Sequence, residues 1–495
     1  MTAVTHSLSG ASSSQKLDWQ AIDWPTVQNE VRRMQMRIAK AIRMKRYGKA
    51  KALQRLLTCS FYAKLLAVKR VAGNSGAKTP GVDRVTWKTP KQKMNAVFDL
   101  KRRGYQTQPL RRIYIPKRNG KLRPLSIPTM RCRAMQALHK LGLEPIAETL
   151  ADRHSYGFRP WRSTADANEQ CYCALAGKNS AQWILEGDIK SCFDKIDHDW
   201  LLANVPMDKV ILRKWLKAGY VEGGDLHETM EGTPQGGVIS PCLLTLTLRG
   251  MEAALMTIRR KPSNYSNKVN LIVYADDFVV TAKSKEMLET QVKPILESFL
   301  KERGLTLSGE KTKITHIEEG FDFLGFNVRK YKGKFLSKPS KDRVKGFLAN
   351  IRDLIKKNRT VKTEVLIQLL NSRISGWANY YRHVAAKDTF SKVDDDIFWT
   401  IWRWAKRRHP KKGRRWIRKK YFRTKRFDRW TFFATMLDED RKPYCLDLVR
   451  ASGIPIRRHI KIQAEANPFD PKYRAYFADR RTSKRVSGSD PHLIF

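Results

Sequence analysis

Three carboxylates carry the chemistry that this sequence suggests. Asp276 and Asp277 stand between two short apolar runs, in Leu271-Ile272-Val273-Tyr274-Ala275-Asp276-Asp277-Phe278-Val279-Val280. β-Branched and aromatic residues on both sides of a polar pair predict a tight hairpin with the two acids at its tip. Asp also favours turns without any further role. A second apolar run, Trp183-Ile184-Leu185-Glu186-Gly187-Asp188-Ile189, ends in an acid as well. Acids set among apolar strands are costly unless a cation meets them. Carboxylate oxygens are the hard ligands that Mg²⁺ takes. Acids converging from two strands are what two-metal nucleotidyl transfer needs. One ion activates an attacking 3′-hydroxyl and the other steadies leaving pyrophosphate, with the ions about 3.5–4 Å apart.

The elements around these acids belong to a long, strongly basic chain. It has 495 residues, enough for two to four domains. Lys and Arg number 97 against 47 Asp and Glu, a formal charge of +50. That imbalance calls for a polyanion, and nucleic acid is the usual one. An anionic membrane is disfavoured, because no apolar run approaches the roughly 20 residues of a spanning helix. Residues 1–22 are expected as a disordered tail without a signal peptide's apolar stretch. Seven scattered cysteines read as reduced and intracellular, and Cys171 and Cys173 lack a partner pair at zinc spacing.

Basic and helical stretches flank the acids. Val27, Val31, Met34, Ile38 and Ile42 recur at helical steps among arginines and lysines. Gly73 to Asp83 is a loop, either a plain linker or backbone able to approach an anion. Ile113 to Leu125 predicts a hairpin on the Asn119-Gly120 turn, whose cationic tip could clamp a triphosphate. A two-residue loop would oppose Lys117 to Leu122 and turn Lys117 and Arg123 to opposite sides. Stripes at Val344–Ile355, Leu366–Tyr381 and Val393–Trp404 predict a three-helix bundle. Arg403 to Arg426 then holds fourteen Lys and Arg and no acid. Among them are Arg407, Arg408, Lys411, Lys412, Arg414, Arg415, Lys419 and Lys420, with Trp404, Trp416, Tyr421 and Phe422 interleaved. Cations supply phosphate affinity and aromatics stack on unpaired bases.

Taken in order, Asp188, Thr233-Pro234-Gln235-Gly236-Gly237, Tyr274-Ala275-Asp276-Asp277, Leu305 to Thr312 and Phe323-Leu324-Gly325 resemble a reverse transcriptase palm. Ser155-Tyr156-Gly157-Phe158-Arg159-Pro160, Gly376-Trp377-Ala378-Asn379-Tyr380-Tyr381 and His459 to Arg480 resemble bacterial group II intron reverse transcriptase/maturases in particular. The resemblance covers nearly the whole chain from about Trp24. It implies an α+β right-hand polymerase followed by an α-helical thumb or maturase domain and a short basic C-terminal region. The expected bounds are 23–185 for an N-terminal extension and fingers, 186–335 for the palm, 336–425 for the thumb and 426–495 for a DNA-binding region.

The same resemblance assigns roles. Asp188, Asp276 and Asp277 would hold Mg²⁺. Phe193 aligns with an aromatic gate that crowds a 2′-hydroxyl, or is simply core. Lys117 and Arg123 align with triphosphate contacts, Gln235 with a loop packed on the incoming nucleotide, and Lys311 with a proton donor to pyrophosphate. Partners would be group II intron RNA, target DNA and dNTP, without a membrane, in a bacterial cytoplasm and at the nucleoid. Many relatives add a zinc-supported HNH nuclease. Here no Cys follows Cys445 and the only His after His459 is His492, so no endonuclease is expected. The alternatives are an RNA-binding splicing cofactor with an idle polymerase fold, and a viral-type RNA polymerase, for which an aromatic at 193 is a poor choice.

Overall fold

Strand alternation sorts the central apolar residues into two cores, one on each side of a single sheet. The computed structural model describes residues 18–116, 120, 122–259, 267–425 and 428–486. In chain order the strands are β1 (Leu110–Pro116), β2 (Leu122–Ile127), β3 (Trp183–Asp188), β4 (Tyr220–Glu222), β5 (Asp225–His227), β6 (Asn270–Tyr274), β7 (Asp277–Ala282), β8 (Lys313–His316), β9 (Phe321–Phe323), β10 (Phe326–Tyr331), β11 (Lys334–Pro339), β12 (Phe422–Lys425), β13 (Asp428–Leu437) and β14 (Pro443–Asp447). The central sheet runs β6-β7-β3-β8, with every pairing antiparallel. Leu185, Leu271, Val273, Phe278 and Val280 join one core, together with the N-terminal helices. Their strand neighbours Ile184, Ile272 and Val279 join the other, together with the C-terminal helices. With both faces buried, the strands read as unbroken apolar runs.

The helical stripes form where the sequence places them. Trp24–Arg43 is a helix capped by Asp23, with Val27, Val31, Ile38 and Ile42 buried. Lys341–Lys357, Thr363–Tyr381 and Lys387–Arg408 are the three helices of the C-terminal bundle. Val393, Ile397, Ile401 and Trp404 are buried on the last of them. Among the described residues no helix is long and apolar enough to cross a membrane.

The Gly73–Asp83 loop is tied down through its carbonyls. The buried Arg133 donates to the oxygens of Gly76 (2.9 Å), Thr79 (2.6 Å) and Pro128 (2.8 Å). Its polar backbone thus serves a guanidinium.

The hairpin of β1 and β2 departs from its expected register. Ile115 pairs with Arg123 and Pro116 with Leu122, so Leu122 faces Pro116 and not Lys117 as a two-residue loop requires. Lys117 and Asn119 lie outside the described residues.

The C-terminal segment wraps back over the centre of the molecule. Asp166, fully buried on the helix Thr164–Leu175, accepts from His459 (2.8 Å), the Ile462 amide (2.8 Å) and Arg480 (2.9 Å). Arg162 pairs with Glu148 and donates to the carbonyls of Ala464 and Ala466 at 3.2 Å. Arg43 pairs with Asp470. Ile462, Ala466 and Phe477 enter the second core. Residues 459–480 therefore strap the central sheet's helix to the N-terminal helices.

Candidate active site

The acids are brought together by strand register. β6 and β7 form the expected hairpin, with Tyr274 opposite Asp277. Its two-residue turn is Ala275-Asp276, and Ala275 takes a left-handed φ of 59°. Asp277 thus belongs to the strand, and only Asp276 sits in the turn. β7 also pairs with β3, which sets Asp188 directly opposite Asp277. Carboxylates 89 residues apart in sequence become cross-strand neighbours, whose Cβ atoms stand about 4.5–5.5 Å apart.

Close approaches of the backbone hold this arrangement. Gly187 pairs with Phe278, and the aromatic ring lies across it. A Cβ there would come within 2.7 Å of Phe278 Cε1 and closer to two further ring carbons. Ser155-Tyr156-Gly157 runs beside β6, with the Tyr156 amide donating to the Val273 carbonyl at 2.8 Å. A Cβ on Gly157 would lie 2.8 Å from the Tyr274 carbonyl carbon. The turn that carries Asp276 is thereby buttressed from behind.

Like charges load the site. Asp277 is pushed up to about 6, first by the protein packed around its flanks and then by the charges of Asp276 and Asp188. Water reaches its outer face, but the cleft floor still strips much of its hydration. Asp276 is raised by burial and by Asp188, against the pull of its own amide, Arg123 and Lys311. The Leu305–Thr312 segment lies along the end of β3, with the Ser308 amide donating to the Asp188 carbonyl at 2.8 Å. This delivers Lys311, whose ammonium meets Asp188 Oδ2 at 2.9 Å and Oδ1 at 3.0 Å. Lys311 is raised in turn, chiefly by that hydrogen bond.

The expected substrate residues gather nearby. Gln235 Nε2 donates to Asp194 Oδ2 at 2.8 Å, while Arg123 Nε donates to Gln235 Oε1 at 2.8 Å. The Gln235 carbonyl accepts from the Ser126 amide, tying its loop to β2. Phe193 is buried on the short helix Cys192–Lys195, and the Thr233 amide donates to its carbonyl. Its ring meets the exposed Phe158 ring edge-on, centroids 6.1 Å apart. Nothing in the local sequence marks Asp194, Phe158 or Gly187 for a role. Only the fold shows that they place Gln235, Phe193 and Asp188.

The basic residues lie elsewhere, around the helix Arg414–Tyr421 and the turn before it. Arg407, Lys411, Lys412, Arg414, Arg415, Lys419 and Lys420 are exposed. Arg408 is half-buried and donates to the Val361 carbonyl at 2.6 Å, so it holds the chain together.

The donor set suits a divalent cation in kind: three oxygen-bearing acids whose mutual repulsion a dication would relieve. Among the described residues, however, no three such side chains are already gathered at ligand spacing. Lys311 answers the charge of Asp188 instead.

Residues 115–328 match reverse transcriptase (RNA-dependent DNA polymerase), residues 19–100 the N-terminal domain of reverse transcriptase, and residues 344–422 the group II intron maturase-specific domain. Protein YkfC of Escherichia coli (strain K12) is 33% identical over 364 residues, 64% of this chain and 94% of YkfC. Group II intron-encoded protein LtrA of Lactococcus lactis subsp. cremoris is 29% identical over 413 residues, 64% of this chain and 68% of LtrA. The chain belongs to the group II intron-encoded reverse transcriptase/maturase family. A telomerase from Candida albicans, solved with a fragment of telomeric RNA, is a distant likeness, with TM-score 0.36 and 13% identity over 63% of this chain. As a family member the protein is an intron-associated reverse transcriptase and maturase, an α+β chain with RNA as its partner.

Proposed function

We propose that the chain copies its intron RNA into DNA at the Asp188, Asp276 and Asp277 site, taking dNTP as substrate and target DNA as a further partner. The register that sets Asp188 against Asp277 carries this reading. These three carboxylates would hold Mg²⁺. Bound there, the ions supply activation of a primer 3′-hydroxyl and neutralisation of charge on the triphosphate.

The chain's own residues do the rest. Arg123 and Gln235, joined by a hydrogen bond and anchored on Asp194, present a polar shelf for the incoming nucleotide. Phe193 is held by Thr233 and by Phe158, so its ring has little room to yield to a 2′-hydroxyl. Lys311, held by Asp188 at 2.9 Å, presents a protonated Nζ beside the acids and would be the group that hands a proton to pyrophosphate. Positioning and charge stabilisation make up most of the catalysis. Residues 23–185 serve on this reading as N-terminal extension and fingers, 186–335 as palm, 336–425 as thumb and 426–495 as a DNA-binding region.

Primer extension on an RNA template tests the proposal, with Asp276→Ala as the control. Wild type is expected to extend with dNTP and the variant to lose extension while still binding intron RNA. Equal incorporation by both would remove the acids from the reaction and leave a splicing cofactor.

A further inference from the structure

The C-terminal bundle contains a groove of about 820 Å³ that the polymerase site does not use. It lies between the helices Lys387–Arg408 and Arg414–Tyr421 and the β13 strand. Packed protein leaves few voids much larger than a water molecule. A space of this size, in the range of ligand pockets, is therefore a feature of the surface rather than loose packing.

Its wall is aromatic. Phe398 and Trp402 lie nearly parallel, with centroids 6.4 Å apart, and the Trp430 ring meets both edge-on at 5.9 and 5.8 Å. Trp399, on the same helix, lines the groove with 57% of its surface exposed. Its ring meets Phe398 edge-on at 5.3 Å, and more than half of the indole stays open to solvent.

Its rim is cationic. Arg414, Arg415 and Arg418 line the groove from a helix in which five of eight residues are basic. The Arg418 guanidinium already covers the Trp430 ring at 4.6 Å. The rim's other charges are largely spent. Asp394 accepts from the Ala451 and Ser452 amides and the Ser452 hydroxyl, and Arg450 pairs with Asp428. Asp395 remains as one acid against three arginines.

Flat apolar walls below a row of guanidinium groups match one chemistry, a planar ring joined to a phosphate. We propose that this groove receives an unpaired nucleotide extruded from the RNA. The base stacks in the aromatic wall, and the arginine row takes its phosphates. This rests on the reading that the chain binds RNA. It adds a base-holding site in the thumb, apart from the polymerase cleft.

The test uses the full chain and short single-stranded RNAs carrying one bromouridine, with an abasic residue at that position as the comparison. Irradiation is expected to crosslink the bromouridine to the Lys387–Arg408 helix. Trp399→Ala should weaken binding of the base-containing RNA on the order of tenfold, the worth of one stacked base, and leave the abasic RNA unchanged. Arg415→Gln should weaken both. Trp399 is largely exposed, so an unchanged melting curve is expected for its variant and shows that the chain stays folded. Equal losses on both RNAs, or crosslinks confined to the polymerase cleft, would overturn the proposal. So would a Trp399→Ala variant that binds RNA normally but sediments as a smaller species, because the groove would then hold a second copy of the chain. Failure of the wild type to bind any RNA would instead remove the functional reading on which the proposal stands.

Discussion

Replacing Gly187 with alanine is expected to cripple polymerisation without touching a carboxylate. The added methyl carbon would lie 2.7 Å from Phe278 Cε1 and nearer to two other ring carbons. Carbon atoms in contact sit about 3.5–4.0 Å apart, so ring and strand must separate by roughly 1 Å. Phe278 is 1% exposed and wedged into the larger core. Overpacking of that kind costs about 1–3 kcal/mol. The strain falls on the neighbouring pair, because Gly187 precedes Asp188 and Phe278 follows Asp277. A misplacement of about 1 Å at a reacting group costs roughly a hundredfold in rate. Extension of a primer on an RNA template should therefore slow about a hundredfold, and the urea midpoint should fall. Adding Phe278→Leu removes the ring edge that the methyl meets, and part of both losses should return. Wild-type extension by Gly187→Ala, or a double variant that shows the plain sum of two single losses, would refute the steric reasoning.

Lys311→Met frees Asp188 from its ammonium, so half-maximal extension should need less Mg²⁺ while the maximal rate drops; a higher Mg²⁺ requirement would contradict the pairing. Lys311 is mostly exposed, and its loss should change stability by less than about 1 kcal/mol in urea titrations. Asp166→Asn leaves the buried Arg480 guanidinium without its counter-charge, at a cost of about 3–5 kcal/mol. Limited proteolysis should then release the 459–480 strap first, and an unchanged melting curve and cleavage pattern would count against its role. His139 is buried against Trp215 and pushed down to about 4 by that burial. Unfolded chains protonate His near pH 6.5, so its contribution is complete above that pH and is lost as pH falls toward 4, by roughly 3 kcal/mol. His139→Leu should flatten the stability profile in that window, and a parallel profile would show that the imidazole is solvated.

Much of this molecule was legible in its residues. Apolar runs that stop at an acid marked both acid-bearing strands, because a carboxylate ends burial wherever no cation is guaranteed. Helical stripes marked the bundle, because Phe347, Leu370 and Ile397 must face a core at a period of 3.6. Charge alone pointed to nucleic acid. The ordered motifs carried the family resemblance.

Tertiary structure decided how distant residues meet. Composition and spacing leave open which strand β7 pairs with and in what register, yet that register puts Asp188 beside Asp277. They leave open that Gln235 is held by Asp194, that Phe193 leans on Phe158, and that Lys311 reaches Asp188. They predicted Lys117 opposite Leu122, where Pro116 takes that place. The physical reason is the same in each case. Local pattern reports which face a residue must bury, while its partner is chosen by the whole chain's packing, through contacts that no short stretch of sequence contains.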